Sequence, residues 1–354
     1  MERPTGRTGL DRAVELVRAR GAVAQLCVLR DGEVVLDEAI GCRPDALFWT
    51  FSAGKPLIAL LVHQLAERGA LELDAPVARY WPEFGGNGKE RVTVRQVLQH
   101  RSGLAAARGM LGDALAMTDW QRSVRALERA RLRWAPGQVP AYQVIAYGFI
   151  LGELARRVTG TPPGELLTAE LLAPLGLTDI HPGLPDDLWP RHVPIRGRGP
   201  AGLLTQYTAN RRSVRRAVIP SAGVSVTARD LAAFYRMLLD GGRANGVRVL
   251  LPQTVAEARR PSTDGEVDRV VGLPIRWAQG FQLGGTGADP TRTPPMGRLS
   301  HPDTFGHNGS NCCLAWADPH RRLVFVYLAD LLTPGHEGAR HLSVVSDSVL
   351  TAWD

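Results

Sequence analysis

Lysine is nearly absent from this chain. Of 42 basic residues among 354, only Lys55 and Lys89 are lysines, and the rest are arginine. An amine can lose its proton when desolvated and a guanidinium cannot, so a lysine retained in such a chain directs attention to proton transfer. Cysteine is scarce too. Cys27, Cys42, Cys312 and Cys313 have neither a metal-ligand spacing nor a disulfide framework. As small core-filling side chains they fit a reducing, cytoplasmic setting, and Cys312 and Cys313, if both lie in a strand, should point to opposite faces. No run approaches the ~18 apolar residues that span a bilayer. The N-terminus carries charges throughout and has no apolar secretory core, so no membrane partner is expected. A His-Glu-x-x-His helix and a Gly-x-Ser-x-Gly elbow are both missing, which argues against a zinc hydrolase and an α/β-hydrolase. No metal and no cofactor are expected. The net charge of +7 comes from scattered arginines, and no nucleic-acid partner is implied.

What is present is organised from both ends. Leu10, Ala13, Val14, Leu16 and Val17 recur at helical spacing and stop at Gly21. Residues 22–29 and 33–39 read as strands joined through Arg30-Asp31-Gly32, a hairpin signal. A second hairpin, 310–317 and 323–329 with a turn at Asp318-Pro319, is followed by a C-terminal helix marked by Leu342, Val345, Val349 and Trp353. The middle is helical and broken by Pro and Gly, with segments at 92–100, 120–132, 145–159 and 163–172. An α+β architecture follows: one antiparallel sheet flanked by N- and C-terminal helices, with an all-helical insert. The expected division is a discontinuous sheet subdomain, 1–76 and 217–354, and a helical subdomain, 77–216, with the active site between them. The stretch 191–219 carries seven arginines with little periodicity and reads as a long irregular excursion.

Chemistry is concentrated in three places. Phe51-Ser52-Ala53-Gly54-Lys55 precedes an apolar stripe, Leu57, Ile58, Leu60, Leu61 and Leu65, so Ser52 is expected to open a buried helix, with Pro56 in its first turn. The i, i+3 spacing brings the Ser52 hydroxyl and the Lys55 amine onto one face, and free N–H groups at the helix start suit an oxyanion. Tyr142 emerges from a turn, 135–141, just ahead of the next buried helix, where a phenol beside an amine can relay a proton. Gly306-His307-Asn308-Gly309-Ser310 leads into the terminal hairpin. Its glycines allow close approach to a strand backbone, and the Ser310 N–H is a candidate second oxyanion donor. His301, six residues before His307, is a further candidate for the same cleft.

Together these elements resemble the serine β-lactamase and penicillin-binding-protein superfamily, in particular its class C-like esterase branch, the family VIII carboxylesterases. The resemblance covers nearly the whole chain, including Leu73-Asp74-Ala75-Pro76-Val77, His100-Arg101-Ser102-Gly103-Leu104 and residues 171–177. It implies a β-lactamase/transpeptidase-like fold, Ser52 as acylated nucleophile, Lys55 as base, Tyr142 as proton relay, and the N–H groups of Ser52 and Ser310 as oxyanion hole. It also implies substrate contacts from His307, Asn308, Gly309 and Val144.

Two departures from the family pattern bear on the substrate. Val144 stands where lactam- and peptide-cleaving members carry an amide-binding Asn, and it can make no such hydrogen bond. His307 replaces a lysine, which weakens a carboxylate anchor because neutral imidazole predominates near neutral pH. A small-molecule ester or other activated acyl substrate is therefore expected, cleaved through a covalent acyl-enzyme. The alternatives are an acyltransferase or thioesterase-like cyclase, with the 191–216 arginines receiving an acyl carrier, and, less favoured, a β-lactamase or D-aminopeptidase or a non-catalytic binding module.

Overall fold

A computed structural model describes residues 6–285, 293–333 and 335–353. Its central sheet has six antiparallel strands in the spatial order Glu33–Ile40, Ala24–Arg30, Leu323–Ala329, Cys313–Asp318, Phe305–Gly309 and Gln282–Leu283. The two ends of the chain meet in the middle of this sheet. Ala24 pairs with Ala329, and the register runs without a break to Arg30 opposite Leu323. Asp31 and Gly32, both at positive φ, make the two-residue turn that closes the first hairpin.

Side chains alternate across the sheet with a period of two, so each face has its own core. Leu26, Val28, Trp316, Phe325 and Tyr327 pack under the terminal helices, Gly6–Ala19 and Gly335–Leu350. Leu10, Ala13 and Val17 meet Leu342, Val345 and Val349 there. Cys27, Leu29, Ala315, Val324 and Val326 belong to the other core, which holds the helices Lys55–Glu67 and Ala228–Leu239. The cysteine pair departs from expectation. The strand begins at Cys313, and Cys312 lies in the turn before it, so the two sulfurs sit 4.0 Å apart instead of on opposite faces. All four cysteines are free thiols, three of them buried.

The insert contains the helices Val94–Leu98, Met110–Ala116, Trp120–Arg129, Ala146–Thr159 and Pro163–Leu167. The first starts with a capping box in which Thr93 and Gln96 satisfy each other's backbone N–H groups. Two short strands near the end of the insert tie it back: Ile180–His181 pairs with Ser225–Val226, and Arg196–Gly197 pairs with Leu331–Leu332. The 191–219 stretch is more ordered than its sequence suggests. It forms the helices Gly199–Ala209 and Arg212–Arg216, the first lacking a clear apolar stripe, with Leu203, Leu204 and Tyr207 exposed. Among the described residues, no helix is long and apolar enough to cross a membrane.

Candidate active site

Ser52 lies in a single 3-10 turn, Phe51–Gly54, and the α-helix itself starts at Lys55. It therefore precedes the buried helix and does not open it. In a 3-10 turn, residues i and i+3 eclipse, so the hydroxyl and the amine still face one another. The turn is held under strain, since Phe51 takes φ 48°, a left-handed conformation that is a genuine outlier for a bulky residue. Packing and hydrogen bonding enforce it. The Phe51 ring meets Trp49 edge-on, while the Thr50 N–H and hydroxyl both donate to the Val224 carbonyl.

Two groups converge on the serine hydroxyl. Lys55 Nζ lies 3.1 Å from Ser52 Oγ, and the Tyr142 hydroxyl lies 2.7 Å from it. Lys55 also donates to the Val144 carbonyl at 2.8 Å and the Ser221 carbonyl at 3.1 Å. With both N–H protons of a neutral amine donated to these carbonyls, its one remaining tetrahedral position, the lone pair, is left to accept the Ser52 hydroxyl. Full burial pushes the Lys55 pKa well below its ordinary value, desolvation being the cause. Burial likewise pushes the Tyr142 hydroxyl up, so it stays a neutral phenol that can both give and accept a proton.

Tyr142 belongs to an irregular segment that borrows its partners from elsewhere. The Ala141 N–H donates to the His100 carbonyl at 2.8 Å, and the Gln143 N–H to His100 Nδ1 at 3.3 Å. The His100 ring packs against Tyr142, Tyr147 and Trp277. Ser221 is a second such support. Its hydroxyl donates to the Ile145 carbonyl and accepts the Gly148 N–H. Gly148 has to be glycine, because a Cβ there would overlap the Ser221 backbone. Neither Ser221 nor the role of His100 is apparent in the sequence. A backbone carbonyl can come from any residue, and His100 otherwise reads as part of a family signature.

The opposite wall is the strand Phe305–Gly309. Gly309 backs directly onto the serine turn, where a Cβ would overlap the Thr50 carbonyl oxygen, so the expected close approach is made by protein backbone. Ser310 and Asn311 take φ values of 51° and 58°, and the Cys312 N–H returns to the Gly309 carbonyl. These are the features of a type I′ turn, whose own hydrogen bond does not use the Ser310 N–H. His307 is buried, and its Nδ1 donates to the Asn308 carbonyl at 2.8 Å, because a carbonyl can only accept. Burial, with the nearby Lys55 second, pushes the His307 pKa down to about 3. Nε2 is thus a bare, neutral acceptor, and it is buried without a partner.

Some predicted contacts fall elsewhere. The Asn308 amide is spent on Asn311, donating to its Oδ1 at 2.7 Å and accepting its N–H at 3.0 Å, so it braces the turn. Val144 takes part in the hydrogen bonding around Lys55 through its carbonyl and not its side chain. His301 is not in the cleft. It stacks on His320 at 3.7 Å, beyond the Phe305 end of a strand whose Gly309 end meets Ser52. With Asp303 these two form the one cluster of metal-ligating side chains among the described residues, and the Asp303 N–H already occupies His301 Nδ1. A groove of about 890 Å³ lined by Trp120, Pro163, His181, Arg216 and Val218 includes none of the groups around Ser52.

Residues 10–347 match the β-lactamase family model, and the chain belongs to that family. It is a carboxylesterase-like serine hydrolase. It is 31% identical over 347 residues to the esterase/β-lactamase LipL of Mycobacterium tuberculosis, covering 87% of this chain and 77% of that protein. It is 31% identical over 349 residues to the esterase EstB of Burkholderia gladioli, covering 84% of each. A solved family VIII carboxylesterase superposes with a TM-score of 0.83 at 29% identity, over 98% of both chains.

Proposed function

We propose that the protein hydrolyses a small carboxylic ester through an acyl-enzyme on Ser52, in a cleft between the sheet and the helical insert. The observation that carries this reading is the position of Ser52 Oγ, 3.1 Å from a buried amine and 2.7 Å from a phenol. In acylation, Lys55 accepts the Ser52 proton as Oγ bonds to the ester carbonyl carbon. The N–H groups of Ser52 and Ser310 hold the resulting oxyanion. The carbon–oxygen bond to the leaving group then breaks, and Tyr142 passes it the proton taken from Ser52. Water repeats the sequence on the acyl-enzyme, giving its proton to the same pair and releasing the acid.

Three observations support an ester over an amide or a carrier-bound acyl group. Val144 supplies no side-chain hydrogen bond for an amide. His307, neutral, offers no cationic anchor for the carboxylate that a lactam or peptide substrate carries. The arginines proposed as a carrier surface all have partners within the chain. Arg191, Arg196, Arg198, Arg212 and Arg216 pair with acidic residues, Arg211 donates to Tyr207, and Arg215 is buried on backbone carbonyls.

The test is turnover of p-nitrophenyl butyrate and of a penicillin by wild type and Ser52→Ala, with mass spectrometry of the intact protein. The expected result is ester turnover far above penicillin turnover, a butyryl adduct on the wild type, and loss of both turnover and adduct in Ser52→Ala. Ester turnover that survives Ser52→Ala would overturn the reading. Comparable rates on penicillin and ester would overturn the substrate assignment.

A further inference from the structure

Asp268 is fully buried, and four neutral N–H groups converge on its carboxylate. Oδ1 accepts the N–H of Tyr142 at 3.2 Å, of Val270 at 2.8 Å and of Val271 at 2.9 Å. Oδ2 accepts the Trp277 indole N–H at 3.1 Å. The Trp277 ring lies parallel to the Tyr142 ring, 6° from coplanar with centroids 5.1 Å apart. One side chain therefore grips Tyr142 twice, directly through its backbone and indirectly through the ring stacked on its phenol. The same loop adds a third attachment, from the Arg269 N–H to the Pro140 carbonyl at 2.9 Å, two residues ahead of Tyr142.

This arrangement requires a carboxylate. Both oxygens must accept, and an amide offers one acceptor and one donor, so either orientation of Asn sets its NH2 against an N–H. A negative charge buried on neutral donors alone is costly to keep. Structural stability does not call for that cost here, because the loop also closes through backbone hydrogen bonds between Asp268 and Leu273 and between Gly272 and Asp268. What the carboxylate adds is aim. The segment around Tyr142 is neither helix nor strand, so it has no ladder of its own to fix where the phenol points.

We propose that Asp268, acting through Trp277 and the Tyr142 backbone, is the positioning residue that aims the Tyr142 hydroxyl for proton delivery to the leaving group, an inference that rests on the relay role proposed for Tyr142. The groups facing Tyr142 are Ser52, Lys55, His100, Trp277 and His307. Of these, His100 and His307 are held neutral by burial, so neither can take over the relay as an acid near neutral pH.

The test exploits leaving-group basicity. An ethoxide leaving group needs a proton as it departs, whereas p-nitrophenolate does not, so loss of aim should slow one ester and spare the other. Asp268→Asn is assayed on ethyl butyrate and p-nitrophenyl butyrate, with circular dichroism and thermal melting to establish folding. The expected result is a fall in kcat/KM, which reports acylation and not the deacylation that both esters share, of about 30-fold or more on the ethyl ester against about threefold or less on the nitrophenyl ester. Tyr142→Phe should show the same selectivity, and the double variant should be no worse than Tyr142→Phe alone.

An equal loss on both esters in folded Asp268→Asn would overturn the proposal, as would no loss on the ethyl ester. Should Asp268→Asn fail to fold, Trp277→Phe keeps an aromatic ring beside Tyr142 and deletes the N–H on Oδ2 together with the second ring of the indole. It is expected to show the same selectivity in milder form, and its absence would be equally decisive. A wild type inactive on both esters would instead count against the proposed function, so the two failures are separable.

Discussion

An amine whose charged form is disfavoured by burial has a thermodynamic signature that needs no substrate. Lys55 is fully buried, and desolvation sets its pKa well below the ordinary value of 10.5. In the unfolded chain the amine regains that ordinary value. Between the two values the unfolded state binds one proton more than the folded state, so stability rises with pH across that window. The slope is about 1.4 kcal/mol per pH unit. Above the unfolded pKa the penalty vanishes, and below the folded pKa it is present in full.

Lys55→Met removes this titration and also strips the Val144 and Ser221 carbonyls of their donor, at about 1–3 kcal/mol for each acceptor left unpaired. That second cost does not vary with pH. The unfolding free energy of the wild type minus that of Lys55→Met should therefore climb with pH at about 1.4 kcal/mol per unit between the folded pKa of Lys55 and its ordinary value of 10.5. Urea unfolding at intervals from about pH 6 to about pH 9 measures it. The acid limb of ester acylation should break where the slope levels off. Parallel stability curves for the two proteins over the whole range would refute the reasoning. Lys55 would then keep its proton in the fold, and Ser52 would have no base.

Other consequences are simpler to check. His307→Gln should leave the acid limb of kcat/KM unmoved between about pH 5 and about pH 8, because an imidazole whose pKa burial has pushed down to about 3 does not titrate there. A limb near pH 6 that disappears in this variant would show His307 charging. Gly148→Ala forces a methyl into the Ser221 backbone, which holds Lys55 from the other side. It should lose about 1–3 kcal/mol of stability and much of its activity, and unchanged melting and kcat would contradict the contact.

The ends of the chain are legible in sequence because their signals are local: apolar periodicity, Asp31-Gly32 at a hairpin, Gly21 after a helix. Ser52, Lys55 and Tyr142 could be identified because each needs a particular side chain, whatever backbone carries it. The supports could not. Ser221 serves Lys55 through a carbonyl, His100 serves residues 141 and 143 through a carbonyl and a ring nitrogen, and Asp268 lies 126 residues from the tyrosine it holds. The helix Gly199–Ala209 was hidden for a different reason. Gly199, Pro200 and Gly202 are poor helix formers, and its exposed Leu203, Leu204 and Tyr207 erase the contrast between faces that reveals an amphipathic helix.

The two lysines state most sharply what separates a structural amine from a reactive one. Both are fully buried. Lys89 donates to three backbone carbonyls, those of Gly86, Glu128 and Ala130, so all three protons of an ammonium are used. Lys55 meets two carbonyls and one hydroxyl, and the hydroxyl alone can give a proton back. Exchange for arginine should therefore separate the pair. Lys89→Arg should cost stability, since a planar fork cannot reproduce three converging bonds, yet leave kcat within about threefold for the molecules that fold. Lys55→Arg should abolish acylation even where circular dichroism shows an intact fold, because a guanidinium does not deprotonate. Near-normal turnover by Lys55→Arg would mean that Ser52 is activated without a base at this position. The distinction drawn here between three carbonyls and two would then have no catalytic meaning.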